Sequence, residues 1–365
     1  MLEAVRALAP RVRAASPWID ANGRLPDDVF AALAEIGVFK AHLPAAFGGS
    51  EFGLSELALV IEEIARADGS AGWLAYVGSE AVRQTLRLNP EVARQITASP
   101  HAFIAGMFTP GGSRAVAAPG GYRVTGHWHT CSGSLHADWM IGGTTVYDHD
   151  QRRSHPDGTP IRRLNFIPMS AVTVLDTWQV GGLRGTNSND LVVEDVFVAE
   201  EFGAYDVEPP DLGLHLMVPL GIARAAMDEF VALASAKGPT KLGGTLYRHM
   251  GALHREVGIA EAGLRAARAY ALAALADVDA RSTAGEPTSV EQRDAFFLAA
   301  YHAAQTSADV VDRLHRAAGT AGIFNSSHLL RCLQDVHVAI AHVSLQPINA
   351  ELAGSRLLNS QAASR

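Results

Sequence analysis

Apolar positions along the chain change period twice. From residue 1 to about 100 they recur at helical spacing. Leu54, Leu57, Ile61 and Ile64 are separated by 3, 4 and 3 residues and share one face, with Glu62, Glu63 and Arg66 on the other. Asp68-Gly69 is expected to end this helix, with Ser70 capping the next. From 101 to 205 the pattern shortens to segments rich in β-branched and aromatic residues: Tyr122 to Trp128, Trp139 to Val146, Val172 to Leu175 and Leu191 to Val198. Glycine pairs punctuate them (Gly111-Gly112, Gly120-Gly121, Gly142-Gly143, Gly181-Gly182), which predicts a small antiparallel β domain. Asp148 to Pro160 is polar and reads as an exposed hairpin loop. From 206 to 365 helical spacing returns over Val218–Ala236, His249–Ala276, Ser289–Ala317 and His328–Leu345, lengths that suit an antiparallel bundle. The expectation is an α+β protein of three domains, 1–100, 101–205 and 206–365.

Composition narrows the classes. The 365 residues are 48% hydrophobic and 19% charged, an ordinary globular balance. A net charge of −8 argues against nucleic acid as a partner, and no stretch has the ~18 apolar residues of a membrane span. Met1 to Arg13 lacks the apolar core and cleavage site of a secretory signal. The two cysteines, Cys131 and Cys332, have no CxxC spacing, so a cytoplasmic location is expected. Neither GxGxxG nor GxxxxGK[ST] occurs, and the α–β–α order excludes a doubly wound nucleotide-binding fold. No HExxH is present, and His249 and His254 are five apart, off the spacing for chelation from one helix face, so no metal is expected.

Four stretches, in order along the chain, carry a resemblance: Leu43 to Ser50 with Glu62 to Ala71; Gly126 to Gly133 with His136-Ala137-Asp138-Trp139; Gly182 to Asp190 with Val193 to Val198; and Gly319 to Gly322 with Leu330 to His337. Together they resemble the acyl-CoA dehydrogenase superfamily. Ser132-Gly133 followed by His136-Ala137-Asp138-Trp139 resembles its group D branch, the oxygenase components of two-component flavin monooxygenases. That resemblance implies an acyl-CoA dehydrogenase-like fold. It also implies reduced flavin (FMN or FAD) from a separate flavin reductase, O2 as co-substrate, a small-molecule substrate, and a homotetramer or homodimer. Ala262, Ala266, Ala269 and Ala273 opposite Leu264, Tyr270 and Leu272 offer apolar helix faces for such assembly.

The resemblance places Met107, Phe108, Thr130, Cys131, Ser132, Gly319 and Thr320 at the flavin, and Trp73, Tyr76 and His215 at the substrate pocket. Ser132 would sit near N5, where a hydroxyl can donate or accept as the flavin changes redox state; its bland alternative is a serine closing a strand turn. Phe108 would serve equally as core, and for Trp73 and Tyr76 ordinary core is the favoured reading. Counted without gaps from Gly319, the family's Arg-Asp pair falls on Gln334-Asp335, and its basic Tyr-Glu-Gly step on His342-Val343-Ser344. Valine cannot take a proton, so the dehydrogenase base is missing there. His342 stands beside it, able to donate to the oxygens of an oxygenated flavin or to deprotonate a substrate. On a continuous helix His337 would lie about 140° away and outside that pocket. Asp211 is an alternative base, and a FAD dehydrogenase and a non-catalytic flavin-fold protein are the rival readings. The family's grip on the FAD tail falls on Tyr247-Arg248-His249-Met250-Gly251 and Gly258, where the gripping residues are absent except for Arg248 next door.

Overall fold

The computed structural model describes residues 1–206, 212–238 and 246–363. Asp211 lies outside them. The chain opens with five helices, α1 (Leu2–Asn22), α2 (Asp27–Glu35), α3 (Leu54–Ala67), α4 (Gly69–Arg83) and α5 (Pro90–Ile96). The apolar stripe of α3 is buried as its spacing requires, with Leu57, Ile61 and Ile64 all at 1% exposure or less. Asp68, not Ser70, caps α4: its Oδ1 accepts the Ala71 N–H at 3.0 Å. The shorter carboxylate sits one residue before the helix, where an N-cap belongs. Ser70 is turned away, its hydroxyl accepting the Gly185 N–H at 3.1 Å.

The strands are β1 (Ile104–Met107), β2 (Arg114–Ala118), β3 (Gly121–Cys131), β4 (Trp139–Asp148), β5 (Gln151–Arg152), β6 (Arg162–Pro168), β7 (Thr173–Leu175), β8 (Asn189–Ala199) and β9 (Gly203–Tyr205). They form one sheet in the order β7-β8-β3-β2-β4-β6-β9, with β1 and β5 also paired to β4. The sheet is mixed rather than antiparallel, because β1 and β2 both run parallel to β4. Alternating patterns reveal strands, but direction depends on which segments the chain later brings side by side. The long β3–β8 pair slips register between Trp128 and Cys131, where Thr130 takes φ 59°.

Helices α6 (Met217–Ala236), α7 (Gly251–Thr283), α8 (Val290–Ala318), α9 (His328–Ala339) and α10 (Pro347–Ala363) complete the chain. The expected helix through Leu345 stops at Ala339, so His342 stands beyond it in an extended conformation. The angular argument separating His337 from His342 therefore does not apply. His337 is nonetheless elsewhere, paired with Asp312 at 2.9 Å. No helix among the described residues is long and apolar enough to cross a membrane.

The shared motifs prove to be clamps between layers. Asp68 accepts the Ser16 hydroxyl at 2.9 Å and lies 3.6 Å from Arg331 of α9. Asp335 accepts the Leu183 N–H at 2.6 Å, and a Cβ on Gly182 would lie 2.2 Å from the Gln334 carbonyl oxygen. Only glycine lets the 182–188 loop approach α9 this closely.

Burial holds His42, His136, His215, His328 and His342 below the ordinary histidine pKa, His136 at about 4 and His328 at about 3. As pH falls below ~6.5 the unfolded chain takes up these protons first, so stability present at pH 7 is lost toward pH 4, by up to about 1.4 kcal/mol per pH unit for each group. Asp335, raised to about 7 chiefly by burial, opposes this because its native form keeps a proton; the histidines outnumber it. The melting temperature is expected to fall between pH 7 and pH 5. A flat or rising profile in thermal melts contradicts this balance.

Candidate active site

A cavity of about 620 Å³ opens between the N-terminal helices, the sheet and the C-terminal helices. That volume lies within the range of small-molecule sites. Helix α4 contributes Trp73, Tyr76, Val77 and Glu80; β1 and the residues after it contribute Ile104, Met107 and Phe108; the end of β3 contributes Thr130 and Ser132. Trp178, Leu183, Thr186 and Ser188 enter from the loop before β8, and Val338 and Ala341 to Ser344 from the end of α9.

Ser132 stands at one end of a chain of hydroxyls whose direction can be worked out. Thr186 Oγ1 donates to the Leu183 carbonyl at 2.9 Å, which spends its only proton. It must therefore accept from Ser188 at 2.8 Å, and Ser188 in turn from Ser132 at 2.8 Å. The Trp73 indole N–H donates to Ser132 Oγ at 3.1 Å. Ser132 thus spends its proton on Ser188, accepts once, and has one lone pair left. Thr186 and Ser188 are almost fully buried, which fixes this order.

His342 ends in an equally defined state. Its Nδ1 accepts the Ser344 N–H at 3.3 Å. A neutral imidazole accepting at Nδ1 carries its proton on Nε2. Burial lowers its pKa, so the ring is neutral and is a donor rather than a base. Its ring packs 5.5 Å from Trp73 and 5.4 Å from His215.

Other expected residues fall differently. Trp73 and Tyr76 line the cavity, and burial holds the Tyr76 phenol protonated. His215 does not line it. It sits behind Tyr76 and His342, and burial lowers its pKa. Cys131 faces the opposite side of β3 from its neighbours, as strand alternation demands, with Sγ 3.5 Å from the Trp128 carbonyl. Burial pushes that thiol up to about 12, and it has no part in the cavity. Gly319 and Thr320 are exposed at the end of α8 and also lie outside it. Arg248 and Gly258 are exposed as well. Trp178, Thr186 and Ser188 went unrecognised as site residues, although Thr186 and Ser188 lie inside a quoted motif; hydroxyls three or fewer residues apart in a loop carry no spacing signal.

The cavity suits a flavin ring. Its walls are largely apolar and aromatic, and the one acceptor position left on Ser132 suits the N5–H that a reduced flavin would present to it. Val343 lines the cavity, and its side chain cannot take a proton.

Comparison with known proteins agrees. The acyl-CoA dehydrogenase N-terminal domain matches residues 1–91, and the acyl-CoA dehydrogenase C-terminal domain matches residues 214–347. An indole-3-acetate monooxygenase of Pseudomonas putida is 31% identical over 96% of this chain and 92% of its own. The flavin-dependent monooxygenase oxygenase subunit HsaA of Rhodococcus jostii is 26% identical over 96% of this chain and 95% of its own. Among solved structures, XiaF from Streptomyces in complex with FADH2 and glycerol superposes with a TM-score of 0.87 over 98% of this chain and 94% of that one, at 23% identity. Fold and sequence together define the class as acyl-CoA dehydrogenase-like. Within it, the chain belongs to the flavin-dependent monooxygenases, the oxygenase components that hydroxylate small organic substrates.

Proposed function

We propose that the chain receives reduced FAD or FMN from a separate flavin reductase and uses it with O2 to hydroxylate an uncharged aromatic ring of the phenol or indole type. The observation carrying this reading is His342, held neutral with its proton on Nε2 among the aromatic rings of Trp73, Tyr76, Phe108 and Trp178. Reduced flavin, when bound, would supply the two electrons that activate O2; one oxygen atom of O2 goes to the substrate and the other leaves as water. Ser132 accepts an N–H at the ring edge, with Trp73 and Ser188 fixing its orientation. The aromatic walls exclude water, and His342 offers its Nε2 proton to an oxygen on the substrate side. Met107, Phe108 and Thr130 complete the walls against the ring.

Substrate charge follows from the lining. No Lys or Arg lines the cavity among the described residues, and the one carboxylate, Glu80, is already paired with Arg83 at 2.7 Å. An anionic side arm finds no partner, so indole and simple phenols should show a higher kcat/KM than indole-3-acetate. The test is product formation with reductase-generated FADH2 and, separately, FMNH2. A strict requirement for the carboxylate overturns the substrate reading, and absence of any hydroxylated product overturns the oxygenase role.

Exposed apolar residues on α7 and α10 (Ile259, Tyr270, Leu352, Leu357 and Leu358) support assembly as a homotetramer or homodimer. The free thiols of Cys131 and Cys332, both buried, fit a reducing cytoplasm.

A further inference from the structure

We propose that His127, His129 and Asp190 form a binding site for a divalent transition cation of the zinc class on the outer face of the sheet. His127 and His129 are two apart on β3 and so point to the same side. The register slip after Trp128 brings Asp190 of β8 against both. Its Oδ2 lies 2.9 Å from His127 Nε2 and 2.8 Å from His129 Nδ1, and the three ligand atoms fall within 4.8 Å of one another. The rings stand 4.2 Å apart, centroid to centroid.

Two nitrogens and one carboxylate oxygen are an accepted donor set for Zn²⁺, at bond lengths of about 2.0–2.2 Å. Tetrahedral geometry at such lengths spaces ligand atoms about 3.3 Å apart, so the two contacts to Asp190 open by about half an ångström while the two imidazole nitrogens, within 4.8 Å of one another, close toward that spacing. Asp190 is anchored: its Oδ1 accepts the Thr130 N–H at 3.3 Å, and its own N–H donates to Thr177 Oγ1 at 3.0 Å. The histidine side chains are 44% and 69% exposed, which leaves the remaining coordination positions to water. The expectation of no metal rested on helical spacing, whereas this trio is assembled from a strand pair and its bulge.

The site shares a carboxylate with the active-site wall. Thr130, held by Asp190 at φ 59°, lines the cavity two residues before Ser132. A cation on Oδ2 therefore braces the bulge that presents both residues.

The test is equilibrium dialysis of the full chain against zinc ion alone, with melting temperature as a second readout, since a ligand bound only by the native state raises it. One zinc per chain is expected, with Cu²⁺ tighter and Mn²⁺ much weaker. His129→Ala and His127→Ala should each weaken zinc tenfold or more. Neither ring is buried, so these variants should fold; melting without metal verifies this. His337→Ala, at another exposed His–Asp pair, should leave zinc binding unchanged. Failure to bind near-stoichiometric zinc at about 100 µM, or binding that survives loss of either β3 histidine, overturns the site.

Discussion

His342→Ala is expected to lower product formation by about 10²–10³-fold, the usual cost of losing a preorganised donor, while reduced-flavin binding stays nearly unchanged. Reducing equivalents should then leave as hydrogen peroxide. The reason is local. Ser344 N–H occupies Nδ1, so the Nε2 proton is the ring's one contribution to chemistry, and Val343 beside it offers neither donor nor base. The measurement is product formed against reduced flavin consumed, with catalase present. The pH profile sharpens it. Because burial lowers the His342 pKa, coupling should stay level from pH 8 to about 6.5, the ordinary histidine value, and fall only below it. Val343→Glu restores the family's carboxylate and should not improve hydroxylation. Unchanged coupling in His342→Ala would remove this residue from the mechanism and direct attention to Tyr76, which also lines the cavity.

The second expected result concerns Ser132 and Ser188. In the parent protein the hydroxyl chain runs one way, from Trp73 through Ser132, Ser188 and Thr186 to the Leu183 carbonyl. Ser132 therefore faces the cavity as an acceptor. Reduced flavin carries N5–H, a donor, and oxidised flavin a bare N5, so the chain favours the reduced form. Ser188→Ala removes the acceptor that holds the Ser132 proton. That proton can then turn toward the cavity, and the preference for reduced over oxidised flavin should fall about 5–10-fold, the worth of one hydrogen bond. Ser132→Ala should abolish the preference and raise peroxide release. Each variant should lose only about 0.5–1.5 kcal/mol of stability. A variant that melts far lower yet retains the parental affinity ratio and normal coupling would make these hydroxyls structural. Titration of both redox forms by fluorescence, read beside thermal melts, separates the outcomes.

Periodicity reveals the elements whose burial is one-sided. The α3 stripe, the long helices α7 and α8 and the β3 and β8 strands were all predicted from it, because a half-buried face stamps its period on the residues. β1 and β6 were not predicted. β6 is buried along most of its length, and a short run without alternation carries no such stamp. The end of α9 was misplaced for a related reason: Ile340 to Leu345 keeps apolar residues near helical spacing, yet the backbone leaves the helix after Ala339 to bring His342 to the cavity.

The sequence by itself determined the family and the α–β–α order, and it named Ser132, His342, Trp73 and Tyr76, which line one cavity. These depend on residue types in a fixed order, which the chain carries wherever it folds. Tertiary structure alone decided the rest: that Cys131 turns away while Thr130 and Ser132 face the cavity, that His215 stands behind His342, that the hydroxyl chain has one direction, and that His127 and His129 meet Asp190. Each of these depends on a strand bulge, a burial or a cross-strand register. Those are set by the packing of segments distant in sequence, where local spacing holds no information.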